Sequence, residues 1–373
     1  MRIGLLASVG GMLDSFFPEI VRVWQGAEHT VCLAAGTPTD GPIPAAVIEG
    51  LGRRPGPRML EALARLRDWV RSEHVDVVVT NSATASALVR AALLPVPVVY
   101  FCHGLHWNAG TGISERLWMR IESALLRRTA GAITINGDDH AWFSAQGVEP
   151  ARLVRLRAGV GLDLDAYPAA PLDEVQPARP GSDLAGADRH RSRRLDLAWV
   201  GEFSARKRPE AALDVAARLV ARGVDLRLTM LGEGTGLARV RRKIDTLGLA
   251  AHVSAPGPGS AAQALADSHA LLHTATWEGL PRVMLEALAV GRRTYAFDVK
   301  GVRDIPNADL VANGDVEALA ELIAVDHRSG RLQNPAAFAR PELDSRRAAE
   351  VVLAFLERIV DTGTRAAVEG AQP

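Results

Sequence analysis

The sequence predicts an α/β protein built as two consecutive domains, each holding a parallel sheet. Three observations predict it. The chain has 373 residues, too long for one ordinary domain and suited to two of similar size. Short apolar, strand-like runs alternate with segments of helical period in both halves, the pattern of parallel α/β sheets. Between the halves, from Pro168 to Arg194, the alternation stops in a stretch rich in proline, glycine and charge. Such a stretch reads as an interdomain linker or loop.

In the first half, strands are expected near Ile3–Ala7, Thr30–Ala34, Val75–Thr80, Val96–Cys102, Gly131–Ile135 and Leu153–Arg157. Helices are expected between them, among them Ser15–Trp24, Arg58–Arg71 and Ile113–Arg128. After the interruption, strands are expected near Leu195–Val200, Leu226–Leu231, His252–Ala255, Ala270–Thr274 and Thr294–Phe297. A final helix starts at about Asp344, which suits an N-cap. The expected division is therefore a first domain over 1–165, a linker over 166–194, a second domain over 195–343, a closing helix over 344–362 and a disordered tail over 363–373. Two such domains place a ligand in the cleft between them, outside the carboxyl ends of their strands.

Composition narrows the function classes. Hydrophobic residues make up 48% of the chain, enough for two cores, and the formal net charge of zero argues against nucleic acid as a partner. Cys32 and Cys102 sit in apolar strand-like runs and read as buried, reduced thiols of a cytoplasmic protein. The amino terminus opens directly on a strand, and Asp14 and Glu19 follow too soon for a signal peptide. No apolar run is long enough to span a bilayer, so any membrane contact is expected to be peripheral.

Chemistry is sought in the loops that follow strands. The segment Leu271–Gly291 (LLHTATWEGLPRVMLEALAVG) runs from a strand through a turn with Glu278 and Gly279 into a helix opening near Pro281. That helix is apolar apart from Arg282 and Glu286, so it is buried, and its carboxylate needs partners. A ribose with two hydroxyls would serve, and so would an arginine in the core. The loop Val200–Pro209 (VGEFSARKRP) clusters Arg206, Lys207 and Arg208, where a diphosphate could lie or where a solvated basic turn could simply exist. Lysine occurs only at Lys207, Lys243 and Lys300. His103 and His106, in Tyr100–Trp107 (YFCHGLHW), stand at a strand's carboxyl end, a place for functional or structural histidines alike.

With its surroundings, the E-x7-E pair Glu278 and Glu286 resembles the donor-site motif of the family 4 (group 1) retaining glycosyltransferases. HGLHW, a helix, Thr134–Asp139 (TINGDD), Gly159–Leu164 (GVGLDL) and Lys300–Asp304 (KGVRD), with the glycine pair Gly10 and Gly11, resemble the exopolysaccharide and capsule branch of that family. The likeness runs from Ile3 to about Leu322, the linker apart. It implies the GT-B fold, two Rossmann-like domains facing a central cleft, with the C-terminal helix crossing back to the N-terminal domain. It implies a nucleoside diphosphate-sugar as donor, bound by the C-terminal domain.

By that resemblance Glu286 binds the ribose and Glu278 the hydroxyls of the donor sugar, while Gly279, Leu280 and Arg282 present backbone at the helix N-terminus. Lys207 and Arg206 face the phosphates, Gly10 and Gly11 line the donor, and His103 sits at the reacting face of the sugar. His103, Lys207 and Glu278 are thus the expected catalytic set. Two departures stand out. Glu202 occupies the place of the family's phosphate-binding arginine, so either Arg206 or Arg208 substitutes, or the phosphates lean more on Lys207 and the helix dipole. Thr80–Ala83 (TNSA) lacks the branch's usual histidine.

The implied acceptor is a saccharide, polyprenyl-linked in that branch, used at the inner face of the plasma membrane. His106, Trp107, Trp118 and Arg58 are the expected acceptor or membrane residues. The Ile113–Arg128 helix carries Ile113, Leu117, Trp118, Ile121 and Leu125 near one face, with Arg116, Arg120, Arg127 and Arg128 around it. An interfacial helix reads so, and so does a core-facing helix in an arginine-rich protein. Arg53, Arg54, Arg58, Arg65, Arg67 and Arg71 add a second basic stretch.

Two lookalikes are set aside. Gly232–Gly236 (GEGTG) lacks the third glycine of a dinucleotide fingerprint, because position 237 is Leu237. Asp163 and Asp165 form a D-x-D, but at a domain end, so no metal and no cofactor is expected. Open alternatives are a soluble secondary-metabolite acceptor, a sugar-nucleotide epimerase or phosphorylase of the same architecture, and a nucleotide-sugar-binding protein without catalysis.

Overall fold

The computed structural model describes residues 1–41, 43–52, 56–105, 107, 112–172, 194–336 and 338–369, the last seven by backbone alone. Arg53, Arg54, His106, most of the expected linker (173–193) and the end of the tail (370–373) lie outside the described residues.

The chain divides into two compact units: Met1–Gly161 together with Asp344–Pro373, and Leu162–Leu343. The first holds a seven-stranded sheet. Its strands are β1 (Arg2–Ala7), β2 (Thr30–Ala35), β3 (Ala46–Val47), β4 (Val77–Thr80), β5 (Val98–Cys102), β6 (Gly131–Thr134) and β7 (Leu153–Arg155), in spatial order β3-β2-β1-β4-β5-β6-β7. The second holds β8 (Leu195–Val200), β9 (Leu226–Leu231), β10 (Val253–Gly257), β11 (Ala270–His273), β12 (Arg293–Phe297) and β13 (Asp309–Val311), in order β10-β9-β8-β11-β12-β13. Every described pairing is parallel. In both sheets the strand order reverses beside the first strand, which is the Rossmann arrangement and creates a ligand-binding crevice at the carboxyl ends.

The strands read as near-continuous apolar runs because helices cover both faces. All residues of β4, β5, β6 and β11 are buried. The short edge strands β3 and β13 are too brief to leave a pattern in the sequence. The helix expected over Ser15–Trp24 is two helices, α1 (Gly10–Phe16) and α2 (Pro18–Gly26), because Pro18 cannot continue the first and instead opens the second.

The other helices of the first unit are α3 (Met59–Ser72), α4 (Ala83–Ala91), α5 (Ile113–Leu125) and α6 (Gly137–Ala145). The second unit carries α7 (Pro209–Ala221), α8 (Leu237–Thr246), α9 (Ala261–Ala266), α10 (Arg282–Val290) and α11 (Val316–Arg328).

The last helix, α12 (Ser345–Glu369), returns to the first unit. It packs on α2, where the fully buried Trp24 donates its indole N–H to the Ala349 carbonyl at 2.9 Å. Phe355 and Ile359 lie against Gly131 of β6. The Asp344 carboxylate accepts the Arg346 N–H at 2.9 Å, as an N-terminal cap does. The helix runs past residue 362, since the alanines, arginine and glutamate that follow Gly363 all favour helix.

The first unit closes at Gly161 rather than 165, because Leu162 donates its N–H to Leu343 of the second unit at 2.7 Å. The first residues of the expected linker also belong to the second unit. Ala170 N–H reaches the Val290 carbonyl at 3.1 Å, and the fully buried Arg292 donates to the Ala170 carbonyl at 2.7 Å.

Candidate active site

The expected site residues fall into two clusters, one in each unit. In the second unit the strand order reverses between β8 and β11, and the loops after these strands meet there. Thr274, just past β11, accepts the Trp199 indole N–H at 3.0 Å and shares its hydroxyl proton between the carbonyls of Lys207 and Arg208 at 3.0 and 2.9 Å. Thr276 donates its N–H to the Arg206 carbonyl at 2.8 Å. These bonds stitch the basic loop to the glutamate loop. Beside them, Gly232 approaches so closely that a Cβ would lie 1.9 Å from the Gly201 carbonyl oxygen. The GEGTG turn is therefore a loop-packing device.

The stitching brings both cations to one carboxylate. Arg206 Nη1 donates to Glu278 Oε2 at 2.5 Å, and Lys207 Nζ donates to Oε1. His273 Nε2 stands 3.4 Å from that same Oε1. Burial opposes ionisation of Glu278, but the His273 imidazole and the charges of Lys207 and Arg206 beside it outweigh it. They hold the carboxyl down to about 2. Burial, aided by Lys207, pushes the His273 imidazole below its ordinary value.

The three basic residues have separate duties. Arg208 is pinned to the carbonyls of Thr274 and Ala275, both at 2.9 Å, and to Asn313 Oδ1 at 2.8 Å, with its guanidinium 4.7 Å above the Phe297 ring. Arg206 instead lies 5.5 Å over the Trp277 ring and reaches Glu278. Of the two arginines that could stand in for the one missing at the exposed Glu202, only Arg206 has its charge beside Lys207.

Glu278 leads into α10, whose residues from Val283 to Val290 are all buried. Its own N–H is held by the Lys300 carbonyl at 3.0 Å, so the KGVRD segment braces the turn. Glu286 is 7% exposed, and Arg282 Nε lies 3.2 Å from its Oε1, one turn earlier on the same helix. Tyr167 hydrogen-bonds Glu286 as well, and burial with that carboxylate raises the phenol pKa. The Glu286 carboxylate thus has both an arginine and a tyrosine for partners. Tyr167 was not anticipated. It lies at the head of the supposed linker and is held on the second unit by Arg340, which donates to its carbonyl at 2.9 Å.

In the first unit the reversal lies between β1 and β4. A cavity of about 790 Å³ opens there, and Ser8, Gly11, Phe16, Asn81, Ser82 and His103 are among its lining residues. Gly10 donates its N–H to Thr37 Oγ1 at 2.9 Å, and a Cβ on it would fall 1.9 Å from the Pro38 carbonyl oxygen. Gly11 faces open space.

The His103 ring stacks on Phe101 at 4.5 Å between centroids and meets the edge of Phe17 at 5.9 Å. Its burial lowers the imidazole to about 4, so it is neutral at pH 7. Asn81 Nδ2 donates to the Leu6 carbonyl at 3.2 Å, which leaves Asn81 Oδ1 facing His103 Nε2 at 3.4 Å. That network assigns the proton to Nε2 and leaves Nδ1 an acceptor.

Trp107 and Trp118, expected as acceptor or membrane residues, pack inward to different degrees. Trp107 is buried edge-on to Trp142, 5.0 Å between centroids, in a cluster with Tyr100, Leu105 and Phe143. Trp118 packs partly buried against that cluster. The core of the unit absorbs Trp107, whereas Trp118 stays partly exposed at its edge. Ile113 and Leu117 of α5 do stand out, 88% and 58% exposed, among the exposed Arg116, Arg120, Arg127 and Arg128. Arg58 is exposed beside Glu49, at 3.7 Å. Asp163 spends a carboxylate oxygen on the Asp165 N–H at 3.1 Å, a turn bond.

Residues 16–159 match the glycosyl transferase 4-like domain family, and residues 187–325 match the glycosyl transferases group 1 family. The chain belongs to the group 1 glycosyltransferases of family 4. This group 1 glycosyltransferase is 27% identical over 216 residues to EpsF of Bacillus subtilis (strain 168), a match covering 57% of the chain and 54% of EpsF. The chain thus spans about half the length of that curated relative. Among solved structures, Anabaena HepE in complex with UDP is similar at a TM-score of 0.75 and 17% identity, covering 96% of this chain and all of that one. The lipopolysaccharide outer core galactosyltransferase WaaB, in apo form, is similar at 0.64 and 15%, covering 99% and 100%. These likenesses are likenesses of fold, the GT-B fold of two Rossmann-like domains.

Proposed function

We propose that this group 1 glycosyltransferase moves a sugar from a nucleoside diphosphate-sugar to a hydroxyl of a lipid-linked saccharide, with retention of anomeric configuration, in cell-surface polysaccharide biosynthesis. The observation that carries the donor half is the convergence of Lys207 and Arg206 on Glu278 at the strand-order reversal of the second sheet. A nucleoside diphosphate leaving group needs fixed positive charge, and two cations held by stitched loops supply it without reorganising.

Glu278, an ionised carboxylate at neutral pH, accepts from hydroxyls of the donor sugar. Glu286 accepts from the ribose, with Tyr167 beside it. Backbone N–H groups from Gly279 to Arg282 at the head of α10 add positive potential. The sugar's bond to the β-phosphate breaks, its bond to the acceptor oxygen forms on the same face, and the acceptor proton passes to the departing phosphate oxygen. A neutral His103 offers an acceptor nitrogen to a sugar hydroxyl rather than acting as a base. Charge stabilisation by Lys207 and Arg206 assigns no role to a divalent metal, so a chelator is expected to leave the rate unchanged.

The lipid-linked acceptor is supported by the HGLHW–helix–TINGDD series and by the exposed pair Ile113 and Leu117 amid arginines. No helix among the described residues is long and apolar enough to cross a membrane, and we place the enzyme peripherally at its cytoplasmic face. The inward packing of Trp107 and Trp118 favours a second reading, a soluble acceptor. HepE is described with UDP and with UDP-glucose, so UDP-sugars are the first donors to try. A thermal-shift screen of UDP-, GDP- and ADP-sugars, followed by transfer assays on lipid-linked and soluble saccharides, tests the proposal. Failure of all three donor classes to raise the unfolding temperature would sink it.

A further inference from the structure

The TINGDD segment has no duty in the scheme above, yet its last residue touches the His103 loop. Asp139 is 1% exposed on α6. One of its oxygens, Oδ2, accepts the Leu105 backbone N–H at 3.1 Å, the Asn136 side-chain N–H at 2.8 Å and the Cys102 thiol at 3.9 Å. Burial, with the Asp139 charge beside it, raises the Cys102 pKa well above its ordinary value, so the thiol keeps its proton and donates.

We propose that Asp139 is the positioning residue for His103, its carboxylate gripping the chain on both sides of the imidazole and fixing the ring in the cavity of the first unit. The inference rests on the role given to His103 above. The grip has two points because Cys102 immediately precedes His103 and Leu105 follows it by two. Between them Gly104 takes a φ of +135°, so the backbone turns sharply just after the histidine. A turn of that kind, loosely held, would let the ring leave the face of Phe101 for solvent.

Helix capping alone does not account for the arrangement. Asn136 caps α6 by accepting the Asp139 N–H at 2.8 Å, and that bond needs no carboxylate. A buried carboxylate is costly unless well supplied with donors, and here one of the donors comes from the His103 loop. A displacement of about 1 Å at a reacting centre costs up to roughly a hundredfold in rate.

The test is Asp139→Ala in the full chain, read three ways. The His103 signal, assigned among ten histidines by its loss in His103→Gln, is titrated by NMR. It is expected to move from about 4 toward the ordinary 6.5 as the ring becomes solvated. Hydrogen-exchange protection of the Leu105 amide is expected to fall by about tenfold or more, the scale of one lost hydrogen bond to a charged group. The transfer rate is expected to fall by roughly 10- to 100-fold with nucleoside diphosphate affinity unchanged.

Asp139→Asn serves if the alanine variant does not fold. Its single oxygen holds Leu105 more weakly, and the same shifts are expected, reduced in size. Leu153→Ala, in the same core cluster but off the loop, controls for general loss of stability and should leave the His103 titration in place. Folded Asp139 variants whose His103 titration and Leu105 protection match the unmodified protein would overturn the proposal. The first two readouts need no substrate, so a wrong choice of donor or acceptor cannot be mistaken for a failure of the clamp.

Discussion

The Lys207 ammonium is hydrogen-bonded to Glu278, a carboxylate it would release, at least in part, on receiving a phosphate in the proposed role. On that proposal Glu278 and an incoming diphosphate compete for the same cations. Glu278→Gln is expected to tighten binding of free nucleoside diphosphate by about 3- to 10-fold, the ~1 kcal/mol net worth of a hydrogen bond that the diphosphate need no longer displace. Turnover of the sugar donor should fall, because the amide is a poorer acceptor for sugar hydroxyls. Calorimetry with the free diphosphate checks the first half; weaker binding in the variant would show that the carboxylate assists the phosphate.

The three neighbouring cations should separate by phenotype. Lys207→Ala is expected to lower the catalytic rate by about 100-fold, the usual scale for losing one charge-stabilising donor at a leaving group. Arg206→Ala should act in the same direction with the unfolding temperature little changed. Arg208→Ala should instead lower the unfolding temperature, since it removes bonds to Thr274, Ala275 and Asn313. Rates and melting curves on the three purified variants decide it, and a full-rate Lys207→Ala protein removes the phosphate role.

Glu286→Ala is expected to weaken even free nucleoside diphosphate, because a ribose contact does not depend on the sugar. Tyr167→Phe, which leaves the carboxylate and takes away its phenol partner, should cost less, about 2- to 10-fold by the ordinary worth of a hydrogen bond. Isothermal titration of both variants tests the pairing; undiminished affinity in Glu286→Ala would give the carboxylate wholly to Arg282 and the core.

His103 contributes to the pH dependence, alongside His273 and His140, whose imidazoles burial also lowers. Its folded-state pKa of about 4 lies below the ordinary 6.5 because burial disfavours the charged ring. Between those values the unfolded chain takes up a proton that the folded chain refuses. Its contribution to stability is therefore complete above pH 6.5 and is lost as pH falls toward 4. Melting temperature measured from pH 7 down to 4.5 should decline less steeply in His103→Gln than in the unmodified protein. Parallel curves would mean that the ring is solvated in the folded state.

Ile113 and Leu117 offer a clean surface test, being exposed rather than core. At low salt the protein is expected to sediment with anionic vesicles and to release at high salt, since each arginine near the bilayer contributes ~1 kcal/mol, screened by salt. Replacing both residues with serine should weaken sedimentation without changing the melting temperature. Full activity on a soluble saccharide with no vesicle binding would favour the soluble acceptor.

The sequence by itself determined the alternation of strands and helices, the restart of the pattern at Leu195, and the buried helix carrying Glu286. Each is written in residues two to four apart, and strand and helix periods are local properties. It also marked the basic loop, because Arg206, Lys207 and Arg208 stand side by side there. Only the tertiary structure decided which arginine joins Lys207. Arg206 and Glu278 are 72 residues apart, and nothing local distinguishes Arg206 from Arg208 until the loops after β8 and β11 are laid side by side. Separation in sequence likewise hid Tyr167 from Glu286 and Asp139 from Leu105, the latter pair 34 residues apart. Trp107 and Trp118 show the limit from the other side: an aromatic beside arginines reads alike whether it faces lipid or core, and the choice belongs to Trp142 and Phe143, which the fold brings up to meet them.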